Sequence, residues 1–280
     1  MHSPRVKLAR QLARRNQREK ARLFLAEGPQ AVREALGFFS GAGRPGRAGP
    51  LPGITELFVT ASARARHGEL VDCVAGHGVP VLEISGELMA ELAETVTPQG
   101  LLAVCRFVDV GLDELVAARP RLVVVLANVR DPGNAGTVLR TADAAGAGGV
   151  IFAGDSVDPY NSKCVRSSAG SLFHVPVTTG VTAEDATGVL RGAGLRVLAA
   201  DGSAARTLDE LETTGQLGCP TAWMFGNEAW GLPAALIALA DEAVAVPIYG
   251  RAESLNLAAA AAVCLYASAR ARPDVGTARG

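Results

Sequence analysis

Residues 121–129 read RLVVVLANV, a near-continuous apolar run of the kind needed by a strand buried on both faces of a parallel sheet. Shorter apolar runs at 149–153, 172–178, 195–200, 221–225 and 243–247 are read as further strands. Helical spacing covers about 134–146, 159–168, 183–193, 233–239 and 255–271. Alternating β and α elements predict an open parallel sheet covered on both sides. In such sheets ligands sit beyond the carboxyl ends of the strands.

The first hundred residues alternate as well. An extended LFLAEG (23–28) precedes a helix at 29–37 and a strand ITELFVT (54–60). A helix at 67–76, a strand PVLEIS (80–85), a helix at 86–95 and a strand LLAVCRF (101–107) follow. Residues 1–107 are therefore expected to form an α/β domain of their own, with 108–120 a short helical linker ending at Pro120 and 121–280 the second domain. Residues 37–53 hold six glycines and three prolines, read as a flexible loop that offers Arg44 and Arg47 to a polyanion.

Composition adds limits. With 49% apolar and 20% charged residues the chain can bury a sizeable core, built mainly of Ala, Val and Leu because aromatics are only 5%. No window approaches 18 uninterrupted apolar residues, and no apolar stretch follows the basic N-terminus. Neither a membrane helix nor a secretory leader is expected, and a cytoplasmic protein is. The five cysteines are odd in number and form no CxxC pair, which argues against a disulfide framework and a structural zinc. Cys73 and His77 have helical spacing without a second ligand pair, so they are read as a buried thiol near a surface imidazole; no metal is expected.

The net charge of −1 conceals an asymmetry. Residues 1–107 carry 14 Lys/Arg against 10 Asp/Glu, and residues 108–280 carry 13 against 18. Eight basic groups fall in the first 22 residues, among them Arg10, Arg14, Arg18 and Arg22. On a helix they present a cationic face suited to phosphates, although a solvated terminal helix looks the same.

Several nucleotide and hydrolase signatures are absent: there is no GxGxxG after a strand, no GxxxxGK[ST], no GxSxG and no HExxH. Three polar segments at strand ends remain. NVRDPGNAGTVLR (128–140) is a turn from strand into helix, with Asn134 placed to cap it and Arg140 nearly two turns in. MFGNEAWGL (224–232) sets Glu228 between Gly226 and Gly231, which permit close backbone approach. Structurally it also reads as a plain loop with Trp230 packed onto the surface. VPIYGRAESLN (246–256) feeds an Ala-rich helix, with Ser254 as its cap and Asn256 in the first turn.

Together and in this order, the three segments resemble the three motifs of the SpoU (TrmH-like) RNA ribose 2′-O-methyltransferases of the SPOUT superfamily. The resemblance covers about 120–270; Ala229 departs from the second glycine that many members carry. LFLAEGPQAVREAL (23–36) resembles, more loosely, the L30e-like substrate-binding domain that precedes the catalytic domain in many ribosomal-RNA members.

The resemblance implies an L30e-like α/β domain followed by a parallel-sheet domain with a deep C-terminal trefoil knot, and a homodimer. It implies S-adenosylmethionine held by backbone at Gly226, Val246 and Leu255, with Met224 and Ile248 as neighbours. It makes Arg140 the central catalytic residue, oriented with the ribose hydroxyl by Asn134, Glu228, Ser254 and Asn256. Arg166, in VRSSAG (165–170), adds a phosphate contact or ends a helix. An ordinary guanidinium stays protonated, and whether Arg140 or the neighbouring phosphate takes the hydroxyl proton stays open. The expected activity is 2′-O-methylation of ribosomal RNA, of the 23S type. The alternatives are a tRNA substrate, or an RNA-binding assembly protein without turnover. The small-residue helix LAAAAAVCLYASA (257–269) suits either close packing at a dimer interface or an ordinary core.

Overall fold

In the computed structural model, which describes residues 3–40 and 53–272, the apolar run after Arg121 is an inner strand of a seven-stranded parallel sheet. Arg44 and Arg47 lie outside the described residues. The N-terminal elements are α1 (Pro4–Gln11), α2 (Arg15–Ala21), β1 (Leu23–Glu27), α3 (Gly28–Phe39), β2 (Ile54–Val59), α4 (Ala61–Arg66), α5 (Gly68–Gly76), β3 (Val81–Glu83), α6 (Gly86–Leu92) and β4 (Leu101–Arg106). Then come α7 (Leu112–Ala117), β5 (Leu122–Ala127), α8 (Pro132–Ala144), β6 (Gly149–Ala153), α9 (Ser162–Ser167), β7 (Val177–Val181) and α10 (Ala183–Gly192). The chain continues through β8 (Arg196–Ala200), β9 (Arg206–Thr207), α11 (Leu208–Thr213), β10 (Thr221–Phe225), α12 (Ala234–Ile237), β11 (Glu242–Ala245) and α13 (Leu257–Ala271).

Two compact units result. The first comprises the described residues up to Val108 together with Asp158–His174; the second comprises Asp109–Val157 and the described residues from Val175 onward. The sequence reading put 158–174 in the C-terminal domain, but its side chains pack elsewhere. Asp158 receives Arg18 Nε at 2.8 Å and Nη2 at 2.7 Å, and both side chains are almost fully buried. The same guanidinium donates to the carbonyls of Leu12 and Ala13, so α1, α2 and the 158–174 segment share one buried cation. Tyr160 stacks on Phe107 with ring centroids 3.7 Å apart, and Phe24 contacts both Tyr160 and Phe173. Phe38 and Phe39 complete this aromatic cluster. Aromatics, scarce in the chain, are thus concentrated where one local segment closes over another.

The sheet of the first unit runs β1-β4-β2-β3, with β4 antiparallel to both neighbours and β2 parallel to β3. Val6, Ala9 and Leu12 of the N-terminal segment pack on Phe58, Met89 and Leu102. The expected single basic helix is two helices, separated by a turn at 12–14.

The second unit has strand order β7-β6-β5-β10-β8-β11-β9, every pair parallel. Its core gathers Val123, Val125, Ile151, Val197, Ala222 and Met224. The expected linker contributes too: Leu115 of α7 is buried in this core, and Val110 N donates to the carbonyl of Val177. The strand expected at 172–178 is displaced. Ser171–Phe173 form a 3-10 turn with Leu172 and Phe173 buried, and the ladder begins at Val177, after Pro176, which has no N–H to donate. The short β9 and α11 were not foreseen; Thr207 and Glu210 form a capping box that starts α11.

Candidate functional site

Three loops meet beyond the carboxyl ends of β5, β10 and β11. The first enters α8. Asp131, rather than Asn134, caps this helix: its Oδ1 accepts from the backbone N of Asn134 at 2.7 Å, and Pro132 takes the first helical turn. That leaves the Asn134 side chain free for longer-range bonds. A second correction concerns α13, whose N-cap is Asn256 and not Ser254; its Oδ1 accepts from the backbone N of Ala258 and Ala259 at 2.9 and 3.4 Å. Ser254 is exposed at the rim of the cavity described below.

Glu228 joins the second loop to the first. Its carboxylate accepts from the backbone N of Arg130 at 3.2 Å and of Asp131 at 3.1 Å, and from Asn134 Nδ2 at 3.3 Å. Asn134 Oδ1 in turn accepts from Asn256 Nδ2 at 3.1 Å. One continuous chain of hydrogen bonds, Glu228–Asn134–Asn256, therefore ties the three loops.

The second loop is itself closed. The backbones of Asn227 and Gly231 exchange hydrogen bonds at 3.0 and 2.9 Å. Asn227, buried, donates from Nδ2 to the Asn128 carbonyl at 3.0 Å and accepts from Ala229 N at 2.8 Å. A Cβ at position 226 would meet the Gly231 carbonyl carbon at 2.4 Å and Leu232 N at 2.5 Å, so only glycine allows the crossing. Asn128 is left-handed at φ +59°, a conformation Asn tolerates, and its Oδ1 accepts from Asp155 N at 2.9 Å. Sequence reasoning gave no role to Asn128, Asp131 or Asn227, although all three lie inside the quoted motifs.

A cavity of about 320 Å³ opens among these loops. Gly226, Glu228, Val246, Ile248, Ser254 and Leu255, all singled out from sequence, line it. Asp201, at the end of β8, and Glu253 add carboxylates that were not foreseen. Met224 does not line it; its side chain points into the core of the second unit, as strand alternation beside the lining residue Phe225 requires. Arg140 is exposed on α8, and its side chain has no hydrogen bond or ion pair among the described residues.

The cations assigned to RNA divide into distinct groups. Arg18 is unavailable, because its guanidinium is consumed by Asp158 and two carbonyls. Arg22 lies 4.4 Å over the Phe107 ring and Arg10 pairs with Glu91. Arg166 reaches Glu27 at 3.4 Å; burial pushes the Glu27 carboxyl above its ordinary range, and Arg166 pulls it back. The Arg14 side chain makes no bond among the described residues and borders an open groove with Lys7, Arg10 and Gln11. Cys73 is exposed, contrary to expectation, with its carbonyl accepting from His77 Nδ1 at 2.8 Å. Among the described residues no group of three His, Cys, Asp or Glu is arranged to hold a metal.

Comparison with known proteins divides the chain in sequence order, with 158–174 inside the C-terminal match. Residues 121–266 match the model of the SpoU rRNA Methylase family, and residues 25–109 match that of RNA 2′-O ribose methyltransferase substrate binding. The chain is 32% identical over 262 residues to the 23S rRNA (guanosine(2553)-2′-O)-methyltransferase RlmP of Bacillus subtilis, covering 94% of each. It is 33% identical to the 23S rRNA (uridine(2479)-2′-O)-methyltransferase of Streptomyces viridochromogenes, over 93% of this chain and 87% of that one. The AdoMet-bound rRNA methyltransferase of Sinorhizobium meliloti superposes with a TM-score of 0.78 at 30% identity, covering 96% of this chain and 95% of that one. With both segments matched and relatives aligned over nearly their whole length, this chain belongs to the SpoU rRNA methylase family.

Proposed function

We propose that the protein transfers a methyl group from S-adenosylmethionine to the ribose 2′-hydroxyl of a nucleotide in 23S rRNA. The observation that carries this reading is the Glu228–Asn134–Asn256 chain, which holds three loops together beside a cavity, with Arg140, on the helix that bears Asn134, unpaired among the described residues. The names of the relatives, two of them 23S rRNA 2′-O-methyltransferases, support the substrate class.

The residues present fit the cofactor. A volume near 320 Å³ lies in the range of small-molecule sites. Val246, Ile248, Leu255 and Leu257 give apolar walls, and Asp201 and Glu253 give negative charge for a cationic ligand. When bound, S-adenosylmethionine would supply an already activated methyl on its sulfonium, so the protein has to position the acceptor hydroxyl, whose proton passes to a base as the new C–O bond forms. Arg140 pairs with the phosphate beside the target ribose and orients the hydroxyl, a task suited to a forked guanidinium. Glu228, Asn134 and Asn256 fix the helix that carries Arg140, and Ser254 stands at the rim beside them.

The same proposal includes a trefoil knot formed by the segment leading into α13, a homodimer and a cytoplasmic location. Exposed Val263 and Tyr266, three positions apart on α13, support a face for a second copy. Incubation with methyl-labelled S-adenosylmethionine and separated 23S rRNA, 16S rRNA and tRNA, followed by mapping of the label, tests the activity. Label on a ribose of 23S rRNA is expected; label confined to tRNA, or on a base, overturns the reading.

A further inference from the structure

Trp230 is an indole held in water on a pinned loop. It is 60% exposed, whereas the other tryptophan, Trp223, is fully buried and donates from Nε1 to Ser268 Oγ at 2.9 Å. Tryptophan is enriched at interfaces, where its large apolar ring is covered and its N–H meets a polar partner. The loop does not owe its shape to the indole: the Asn227–Gly231 bonds, buried Asn227 and the Gly226 crossing already fix it. Glu228, Ala229 and Gly231 line the cavity and Trp230 does not, so the ring stands outside the cofactor wall.

The charge around the loop selects the occupant. Glu228 is tied to the backbone of Arg130, whose side chain is exposed and has no bond among the described residues. An aromatic face for a base, two residues after Glu228, and a guanidinium for a phosphate, on the residue whose backbone Glu228 binds, are thus joined through one contact, with Arg140 further along α8. The geometry points to Trp230 as the platform on which a nucleobase of the RNA substrate stacks, at or next to the methylated nucleotide. This rests on the methyltransferase reading and adds a recognition residue to it. Bases taken out of helical stacking are commonly held on aromatic side chains, and every base offers such a face.

Two measurements on the full chain test this. In the first, in vitro transcribed 23S rRNA is titrated while acrylamide quenching of tryptophan emission is followed; with Trp223 buried, the quenchable emission reports Trp230. RNA should protect the indole and S-adenosylmethionine should not. Strong shielding before RNA is added would assign Trp230 to a contact between copies and overturn the proposal. In the second, Trp230→Ala should raise the KM for 23S rRNA about tenfold, Trp230→Phe should stay within about threefold, and the S-adenosylmethionine Kd should not change for either. Normal wild-type turnover with Trp230→Ala unaltered overturns the Trp230 role alone. A wild-type protein that methylates no RNA overturns the methyltransferase reading and this role with it.

Discussion

The side-chain amide of Asn256 donates to the side-chain carbonyl of Asn134, 122 positions earlier in the chain, at 3.1 Å. Asn256 spends its own carbonyl on capping α13, and Asn134 spends its amide on Glu228, so each side chain uses its donor and acceptor at once. Neither Gln, Asp nor Ala reproduces this two-sided pattern at the same reach. The joint therefore orients the loops in a way that ordinary helix capping does not.

Asn134→Ala and Asn256→Ala should each lower kcat about 100-fold, because a small misplacement of positioned groups costs that order. Asn256→Ala should in addition destabilise the protein by about 1 kcal/mol in urea unfolding, the usual cost of a lost cap. A double-mutant cycle on kcat should be strongly non-additive, the second substitution adding little to the first. Fully additive effects would mean that the two residues act separately.

Arg140→Ala should abolish methyl transfer, leave the S-adenosylmethionine Kd within about twofold by calorimetry and shift unfolding by less than about 0.5 kcal/mol. The side chain is exposed, with no bond among the described residues, so its removal leaves no buried partner behind. Arg140→Lys should not restore turnover, since an ammonium lacks the planar fork. Loss of cofactor binding in Arg140→Ala would remove the residue from the RNA side of the site.

Arg14 and Arg18 sit one turn apart and look alike in sequence, yet opposite outcomes are expected. Arg18→Ala leaves the Asp158 carboxylate buried without its cation, which should cost about 3–5 kcal/mol in denaturant unfolding. Arg14→Ala should leave stability within about 0.5 kcal/mol and lower the slope of log affinity for rRNA against log salt by about one unit. Equal stability of the two variants would contradict the buried pair.

These contrasts show what was legible in the sequence. The parallel sheet was, because β5 is buried on both faces and its Val/Leu run has no polar alternation. The loops were too, since Gly226 and Glu228 directly follow β10 and Asn256 closes the third polar segment where it enters α13. The helix caps were not. Asp131 and Asn134 are both good capping residues, and only the backbone shows that Pro132 enters the helix first. The fate of Arg18 was equally hidden, for a basic residue in a basic segment gives no local sign of a carboxylate 140 positions away. Local alternation also gave no sign that 158–174 packs with the first unit, because its partners Phe24 and Phe107 are distant in sequence.

That last difference changes what a fragment lacking the N-terminal residues should do. From charge alone, residues 108–280 would be expected to bind cofactor normally and RNA poorly, since they carry 13 basic against 18 acidic groups. In such a fragment, however, Asp158 has no Arg18, Tyr160 has no Phe107 or Phe24 to stack on, and Phe173 loses Phe24, Phe38 and Phe39. The exposed rings form an apolar patch of the kind that drives association. A fragment of 109–280 with its native 158–174 segment should aggregate, as read by light scattering and size-exclusion chromatography. The same fragment with 158–174 replaced by a Gly/Ser linker of equal length should stay dispersed, bind S-adenosylmethionine and methylate 23S rRNA poorly. If the native fragment is dispersed and binds cofactor as the full chain does, residues 158–174 do not depend on the N-terminal unit for their fold.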